Sequence, residues 1–425
     1  MINRVVITGM GVVAPGAANL TQFEAMLRKG KSGVTFQPEA ADRELACHVA
    51  GVPGLDEVRI CAITVPPVRR GMNMIMDLAA LAAVECWQDA GFSYEPGGVG
   101  EADPRLGVVF GTGVGGIETL CDTVAPMVQT GKVRQMGAKR VEQGMSSSAA
   151  ACVSGLLGAG GPTISSSAAC TTGSACVVQS LRLLRAGLCD RILVGSTDTS
   201  NIYTWAMFDA MRVLVRDGNL SPQQASRPMS ERAAGFVPSG GAGALLLETY
   251  DSAMARGARI YAELVGGFEN CGGQRSGGTM TRQSPDGVRR CILGALHDAG
   301  VDASEVDYVN GHLTSTIGDV PEIQSTASAL GRHGENFPWV NSTKSLIGHT
   351  IGAAGSIESV ATVLQLHRGF LHPSLNCEEI HPELSTYASR IVRKPMSFRT
   401  RVALKTSFGF GDVNACLVFR AWPEQ

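Results

Sequence analysis

Cys170 stands in the segment ISSSAACTTGSACVVQSLRLL, where a run of small and β-branched residues gives way to a helical pattern just past the thiol. A thiol at a helix start feels the positive end of the macrodipole, so this placement is expected to lower the Cys170 pKa and favour thiolate. Ala168, Ala169, Thr171, Thr172 and Gly173 leave room for a substrate, and backbone amides at such a turn can bind an oxyanion. Most free cysteines are inert buried side chains, a description that suits Cys86, Cys176 and Cys416 within their apolar helix or strand patterns. Two histidines add weight to Cys170. His312 lies in VNGHLTSTIGD, directly after the strand-like VDYVN, at the strand end where α/β active sites gather. His349 lies in NSTKSLIGHTIGAAGS, between a strand and a glycine-rich helix start, with Lys344 five residues before it. His48, His333 and His381 sit in polar, surface-like contexts.

One cysteine and two histidines suit two chemistries. A Cys-His hydrolase needs one base and an orienting third group, which leaves the second histidine surplus. Carbon–carbon bond formation uses both imidazoles, as hydrogen-bond donors to a thioester oxygen while an enolate develops.

The elements that must position these residues alternate between short apolar strands and amphipathic helices. Strands are expected at residues 4–8, 105–110, 162–169, 191–195, 242–247, 261–265, 306–310, 339–341, 402–405 and 415–419. Helices are expected at 73–90 (closed by Gly91), at about 171–187, just after Glu248, at 286–299, near 320–330 and at 352–367. The alternation implies an α/β architecture of helix-covered sheets, and it runs twice with a seam near residues 250–260.

At 425 residues, the chain exceeds what a single core normally supports. A net charge of −2 and the lack of a basic patch give no electrostatic case for nucleic acid or an anionic membrane. The 12 cysteines are scattered without CxxC or CxxH spacing, which argues against a metal site or disulfide framework and for a reducing, cytoplasmic setting. The opening MINRVVITGMGVVAPG lacks the basic and long apolar regions of a signal peptide, and no apolar run is long enough to span a membrane. The glycine clusters at Gly9–Gly11 and Gly111–Gly116 mimic a dinucleotide fingerprint, but no acidic residue ends a second strand about 20 residues on. They are expected to mark close helix–strand packing and turns instead.

Taken together, VVITGMGVVAP, AACTTG, QQASRPMSERAAGFVPSGGAGALLLE, VNGHLTSTIGD, NSTKSLIGHTIGAAGSIES and KTSFGFGDVNACLVF resemble, in order and spacing, the elongating β-ketoacyl-[acyl carrier protein] synthases of the thiolase-like superfamily. The resemblance spans nearly the whole chain. It implies a five-layered α-β-α-β-α fold of two similar halves, residues 1–255 carrying the nucleophile and residues 256–425 carrying the histidines and a gating loop. It also implies a homodimer that works with acyl carrier protein and needs no cofactor. Cys170 would take the acyl chain. His312 and His349 would bind the malonyl thioester carbonyl, and Lys344 would set their electrostatics. Thr314 and Thr316 match pantetheine contacts. Phe410 matches a gating phenylalanine whose amide, with that of Cys170, makes an oxyanion hole, and Phe408 joins the substrate-binding set. Glu358 matches a buried supporting acid. In some relatives a monovalent cation lies near the positions of Asn310, Glu358 and Ser407, an optional feature here. The chain departs from the pattern at Leu313, usually glycine, at Asp412-Val413, usually Gly-Thr, and in PSGGAG, where some relatives carry an acid.

Overall fold

The computed structural model describes residues 3–98 and 100–423. A unit of eight elements is traversed twice. The first pass is β1 (Val5–Val13), α1 (Met74–Asp89), β2 (Leu106–Gly111), α2 (Ser148–Leu157), β3 (Thr163–Ile164), α3 (Thr172–Arg185), β4 (Arg191–Asp198) and β5 (Gly241–Thr249). The second is β6 (Ala262–Cys271), α4 (Pro285–Ala299), β7 (Tyr308–Asn310), α5 (Asp319–Leu330), β8 (Trp339–Asn341), α6 (Ala354–Arg368), β9 (Val402–Gly409) and β10 (Val413–Ala421).

Strand order is β3-β2-β4-β5-β1 in the first pass and β8-β7-β9-β10-β6 in the second, the same order displaced by five. In each, the first three strands pair in parallel and the remaining pairings are antiparallel. A short contact, Val6 with Glu263 and Ile7 with Ala262, joins β1 to β6 into one ten-stranded sheet.

The helices sort by how they are wetted. α4 buries Val288, Cys291, Ile292, Ala295 and Leu296, one stripe at helical spacing, as an outer helix should. α6 buries every residue from Ala354 to Leu366, the signature of a helix covered on all sides. α3 and α6 form the middle layer, where side chains of β1, β4 and β5 meet those of β6, β9 and β10. α1 and α2 cover the other face of the first half, and α4 and α5 that of the second. The layers therefore run α-β-α-β-α. Strands buried on both faces explain why they read as continuous apolar runs rather than alternating ones.

Two sequence expectations need correction. β1 does not stop at residue 8 before a glycine turn; it continues through Gly9 and Gly11 to Val13. The glycines serve close packing, because a Cβ at Gly11 would lie 2.0 Å from the Ala82 carbonyl oxygen of α1. The strand expected over 162–169 holds only Thr163 and Ile164. Beyond it, Thr171 and Thr172 divert the backbone into a turn. The Thr171 hydroxyl donates to the Ala168 carbonyl at 2.6 Å and the Thr172 hydroxyl to the Ala169 carbonyl at 2.7 Å. Such local bonds compete directly with a sheet ladder.

The two middle helices touch through glycine. A Cβ at Gly355 would lie 2.3 Å from the Ser174 nitrogen, and one at Gly173 2.3 Å from the Ser356 nitrogen. Neither obstacle is a flexible side chain, so the helices themselves must move apart. Gly355→Ala is expected to cost about 3 kcal/mol or more of stability, at or beyond the upper end for overpacked cores. Gly54→Ala, which meets open space, should stay within about 0.5 kcal/mol. Thermal melts of the two variants test this, and equal melting temperatures would refute the contact as a stability determinant.

Candidate active site

The duplication brings the chemistry together. Cys170 follows β3, and His349 follows β8, the equivalent strand of the second half; α3 and α6 then start side by side at the glycine contact. His312 follows β7 and Phe410 follows β9. Ala169 takes a left-handed φ of 48°, turning the chain sharply just before the nucleophile. Gly409 lies against this turn, since a Cβ there would sit 3.1 Å from the Cys170 nitrogen. The backbone amides of Phe410 and Cys170 both lie close enough to the Cys170 sulfur to favour its charged form, which is where donors for a developing oxyanion belong.

The structure corrects the expected acidity of the thiol. Burial pushes Cys170 up to about 11, against the downward pull of Lys344 and of the Phe410 and Cys170 amides. A helix terminus contributes at most about 2 kcal/mol, roughly 1.5 pH units, so the resting thiol is neutral at pH 7. Alkylation of Cys170 by iodoacetamide, followed on its own peptide by mass spectrometry, should therefore accelerate about tenfold per pH unit from pH 6 to 9. A plateau near pH 7 would show a resting thiolate instead.

Both histidines are neutral donors. His312 and His349 are buried, their rings 5.3 Å apart and nearly perpendicular. Burial, Lys344 and Lys405 hold both well below the usual histidine pKa, and His349 adds to the effect on His312. The Lys344 Nζ faces His312 Nδ1 at 3.4 Å, and the Ile351 amide donates to His349 Nδ1 at 3.2 Å. With each Nδ1 occupied as an acceptor, each neutral ring carries its proton on Nε2. The pair thus presents two N–H donors without a positive charge of its own.

Lys344 is held at 2.5 Å by Glu358 Oε1, both fully buried. Thr314 and Thr316 are half-buried and joined hydroxyl to hydroxyl at 2.9 Å on the segment after β7. Phe410 is half-buried against Phe208, ring centroids 6.4 Å apart. Phe408 is buried beside His312 at 6.2 Å, behind the imidazole. Leu313 is fully buried in the apolar core of the second half, and its carbonyl accepts from Ser342. Asp412 is buried with φ 62°; its carboxylate accepts from the Gln274 and Ser284 amides, tying the 410–413 loop to residues 272–284. Cys416 lies fully buried in β10.

Three acidic or basic residues escaped the sequence reading. Glu322 accepts from the His312 and Leu313 amides at 2.6 and 2.8 Å, fixing the backbone that carries the imidazole. Burial and Asp319 push it up to about 7. Asp198 accepts from the Gly113 and Gly352 amides, linking the loop after β2 to the turn that precedes α6. Lys405 is fully buried in β9, its Nζ 2.8 Å from Glu358 Oε2. A lone cation within the apolar strand VALKTSFG was the one available signal, because an unpaired charge is almost never placed in a core.

Lys405 also settles whether an alkali ion fits near Asn310, Glu358 and Ser407. Its ammonium takes 2.8 Å to Glu358, 3.1 Å to the Ser407 hydroxyl, and the Thr406 carbonyl. A further ion there would bring a third positive charge to one carboxylate already shared with Lys344, so these residues do not fit it.

A duplicated α/β unit with a cysteine at the start of one inner helix and histidines in the opposite half is the thiolase-like arrangement. Residues 2–253 match the beta-ketoacyl synthase N-terminal domain and residues 261–378 its C-terminal domain, and the chain belongs to the beta-ketoacyl synthase family. It is 33% identical over 423 residues to 3-oxoacyl-[acyl-carrier-protein] synthase 1 of Escherichia coli K12, covering 99% of both chains. A crystal structure of a beta-ketoacyl synthase from Burkholderia phymatum superposes with a TM-score of 0.90 at 30% identity, covering 99% of this chain and 100% of the other. A type II polyketide ketosynthase, solved with its acyl-carrier protein and bound to the hexaketide, superposes at 0.86 with 28% identity and full coverage of both.

Proposed function

We propose that the chain joins an acyl unit held on Cys170 to a malonyl unit carried by acyl carrier protein, releasing carbon dioxide and a β-ketoacyl thioester. The observation that carries this reading is the pair of adjacent neutral imidazoles, each with Nδ1 occupied as an acceptor and its proton therefore on Nε2, around a Lys344 whose charge also acts on the buried Cys170 thiol. Cys170 sulfur attacks the incoming thioester carbonyl, and the carrier thiol leaves with the proton. Malonyl thioester then binds with its carbonyl oxygen on the two Nε2–H groups. The C–C bond to the carboxylate breaks, carbon dioxide departs, and the electron pair is held as an enolate on that oxygen. The enolate carbon attacks the acyl–cysteine carbonyl, whose oxygen charges against the Cys170 and Phe410 amides, and Cys170 leaves as thiolate to be reprotonated. No strong base is needed, because decarboxylation itself creates the nucleophile.

In this reading Lys344 and Glu358 fix His312, while Thr314 and Thr316 contact the pantetheine arm at the half-buried entrance. Phe410 gates the acyl chain and Phe408 backs the histidine wall. A homodimer in the cytoplasm completes the proposal, and no helix among the described residues is long and apolar enough to cross a membrane. A silent partner subunit would have no use for a thiol poised under two oxyanion amides.

The test supplies acyl and malonyl thioesters of acyl carrier protein and reads the carrier by mass spectrometry. A β-ketoacyl carrier two carbons longer supports the reading. Transfer of the acyl group to water alone would sink it in favour of hydrolysis.

A further inference from the structure

Beneath the site, Lys344, Glu358 and Lys405 form a buried triad in which two cations share one carboxylate. Burying each ion costs several kcal/mol unless it is paired and hydrogen-bonded. Lys344 is explained by the histidine it faces, but the Lys405 ammonium hydrogen-bonds the Thr406 carbonyl and the Ser407 hydroxyl rather than an imidazole. Its strand position shows where it acts. In β9, Ala403 faces the middle layer, and the two-residue alternation turns Lys405 and Ser407 the same way, toward Glu358 on α6. Lys405 pairs in register with Asn310 of β7, whose side-chain Oδ1 is buried without a partner. The ammonium is thus ringed by oxygens: Glu358 Oε2, Ser407 Oγ and the Thr406 carbonyl. This is an all-oxygen coordination shell of the kind hard cations take, with a side chain delivering the charge.

We propose that Lys405 is a positioning residue whose ammonium serves as a covalently attached monovalent cation, holding one oxygen of Glu358 so that the other directs Lys344 onto His312. The inference rests on the reading of His312 as an oxyanion donor. A strand-borne cation cannot dissociate, so the charge that faces the enolate is independent of the ions in solution. The same charge opposes protonation of both histidines, with Lys344 and burial acting alongside it. Removing the side chain beyond Cβ leaves a buried pocket of three oxygens around one negative charge, which an alkali ion can enter.

The experiment compares wild type, Lys405→Ala and Lys405→Met in potassium chloride and in choline chloride at equal ionic strength. Malonyl decarboxylation, condensation and thermal unfolding are read in each. Wild type should be unchanged between the two salts. Lys405→Ala should lose about 10–100-fold in kcat in choline, the scale of lost support around a charged centre, with KM little altered, and regain most of it in potassium. Lys405→Met, whose thioether fills the space, should stay low in both. The melting temperature of Lys405→Ala should rise in potassium but not in choline, by mass action on the folded state. That readout holds even if the protein condenses nothing, so failure of the proposed reaction would show as an inactive wild type while the salt-specific melting shift persists. An alkali-dependent wild type overturns the proposal. So does Lys405→Ala at wild-type activity in choline, or one that potassium neither refolds nor reactivates.

Discussion

Cys170→Ala will form no acyl-enzyme and will lose condensation by about 10⁴–10⁶-fold, the scale on which a nucleophile acts with its activating partners. The same variant should still release carbon dioxide from malonyl carrier, because the donors for that step are the Nε2–H groups of His312 and His349 and not the sulfur. Intact-mass analysis with an acyl-carrier thioester measures the first effect, and appearance of acetyl carrier measures the second. Alanine at this buried site removes one sulfur atom and leaves the turn of Ala168–Thr172 held by its threonine hydroxyls, so folding should survive. If Cys170→Ala still yields the β-ketoacyl product, the nucleophile lies elsewhere. If the acyl-enzyme and the decarboxylation vanish together, the separation of the two half-sites is wrong.

The converse pattern is expected for the histidines. His312→Ala and His349→Ala should each lower decarboxylation and condensation by about 10²–10³-fold, the cost of deleting one preorganised oxyanion donor. Acylation of Cys170 should continue in both. The two losses should not multiply in the double variant, because a lone imidazole no longer forms the two-donor site. Wild-type rates should show no acid limb at the ordinary histidine pKa, since burial with Lys344 and Lys405 keeps both rings neutral well below it. Protonation would cost His312 the acceptor it offers Lys344, and His349 the acceptor it offers the Ile351 amide. Single-turnover assays separate the steps; an acid limb near 6.5, or a histidine variant that blocks acylation alone, would contradict the assignment.

Much of this was legible in the letters because it depends on neighbours in sequence. A strand that meets a glycine or a small residue and then a 3.6-residue period announces a strand–turn–helix, so Cys170, His312 and His349 were each placed at such a junction. The span of β8 was read to the residue and those of α1 and α4 nearly so, with Gly91 marking the end of α1; the structure adds side-chain caps at Asn73 and Ser284 and a left-handed stop at Gly300. Strand ends were less legible. β1, β4 and β9 run three to five residues past their expected ends through glycine, serine or threonine, residues that signal turns locally but here lie between covering layers.

What the sequence by itself determined was chemistry and local direction: which side chains can carry an acyl group or donate to an oxyanion, and which stretches are strands or helices. The tertiary structure alone decided the state of those groups. Thiol acidity was misjudged because a helix dipole is a local, modest effect, whereas desolvation depends on everything packed around the sulfur. Lys405 and Asp198 could not be assigned partners, because each meets atoms from distant segments that only the sheet register and the α3–α6 crossing bring within 3 Å, and Glu322 reaches back to the His312 and Leu313 amides only because the intervening loop folds over its helix. Long-range contacts carry no signature in the residues between them, and burial is a property of the assembled layers rather than of any one of them.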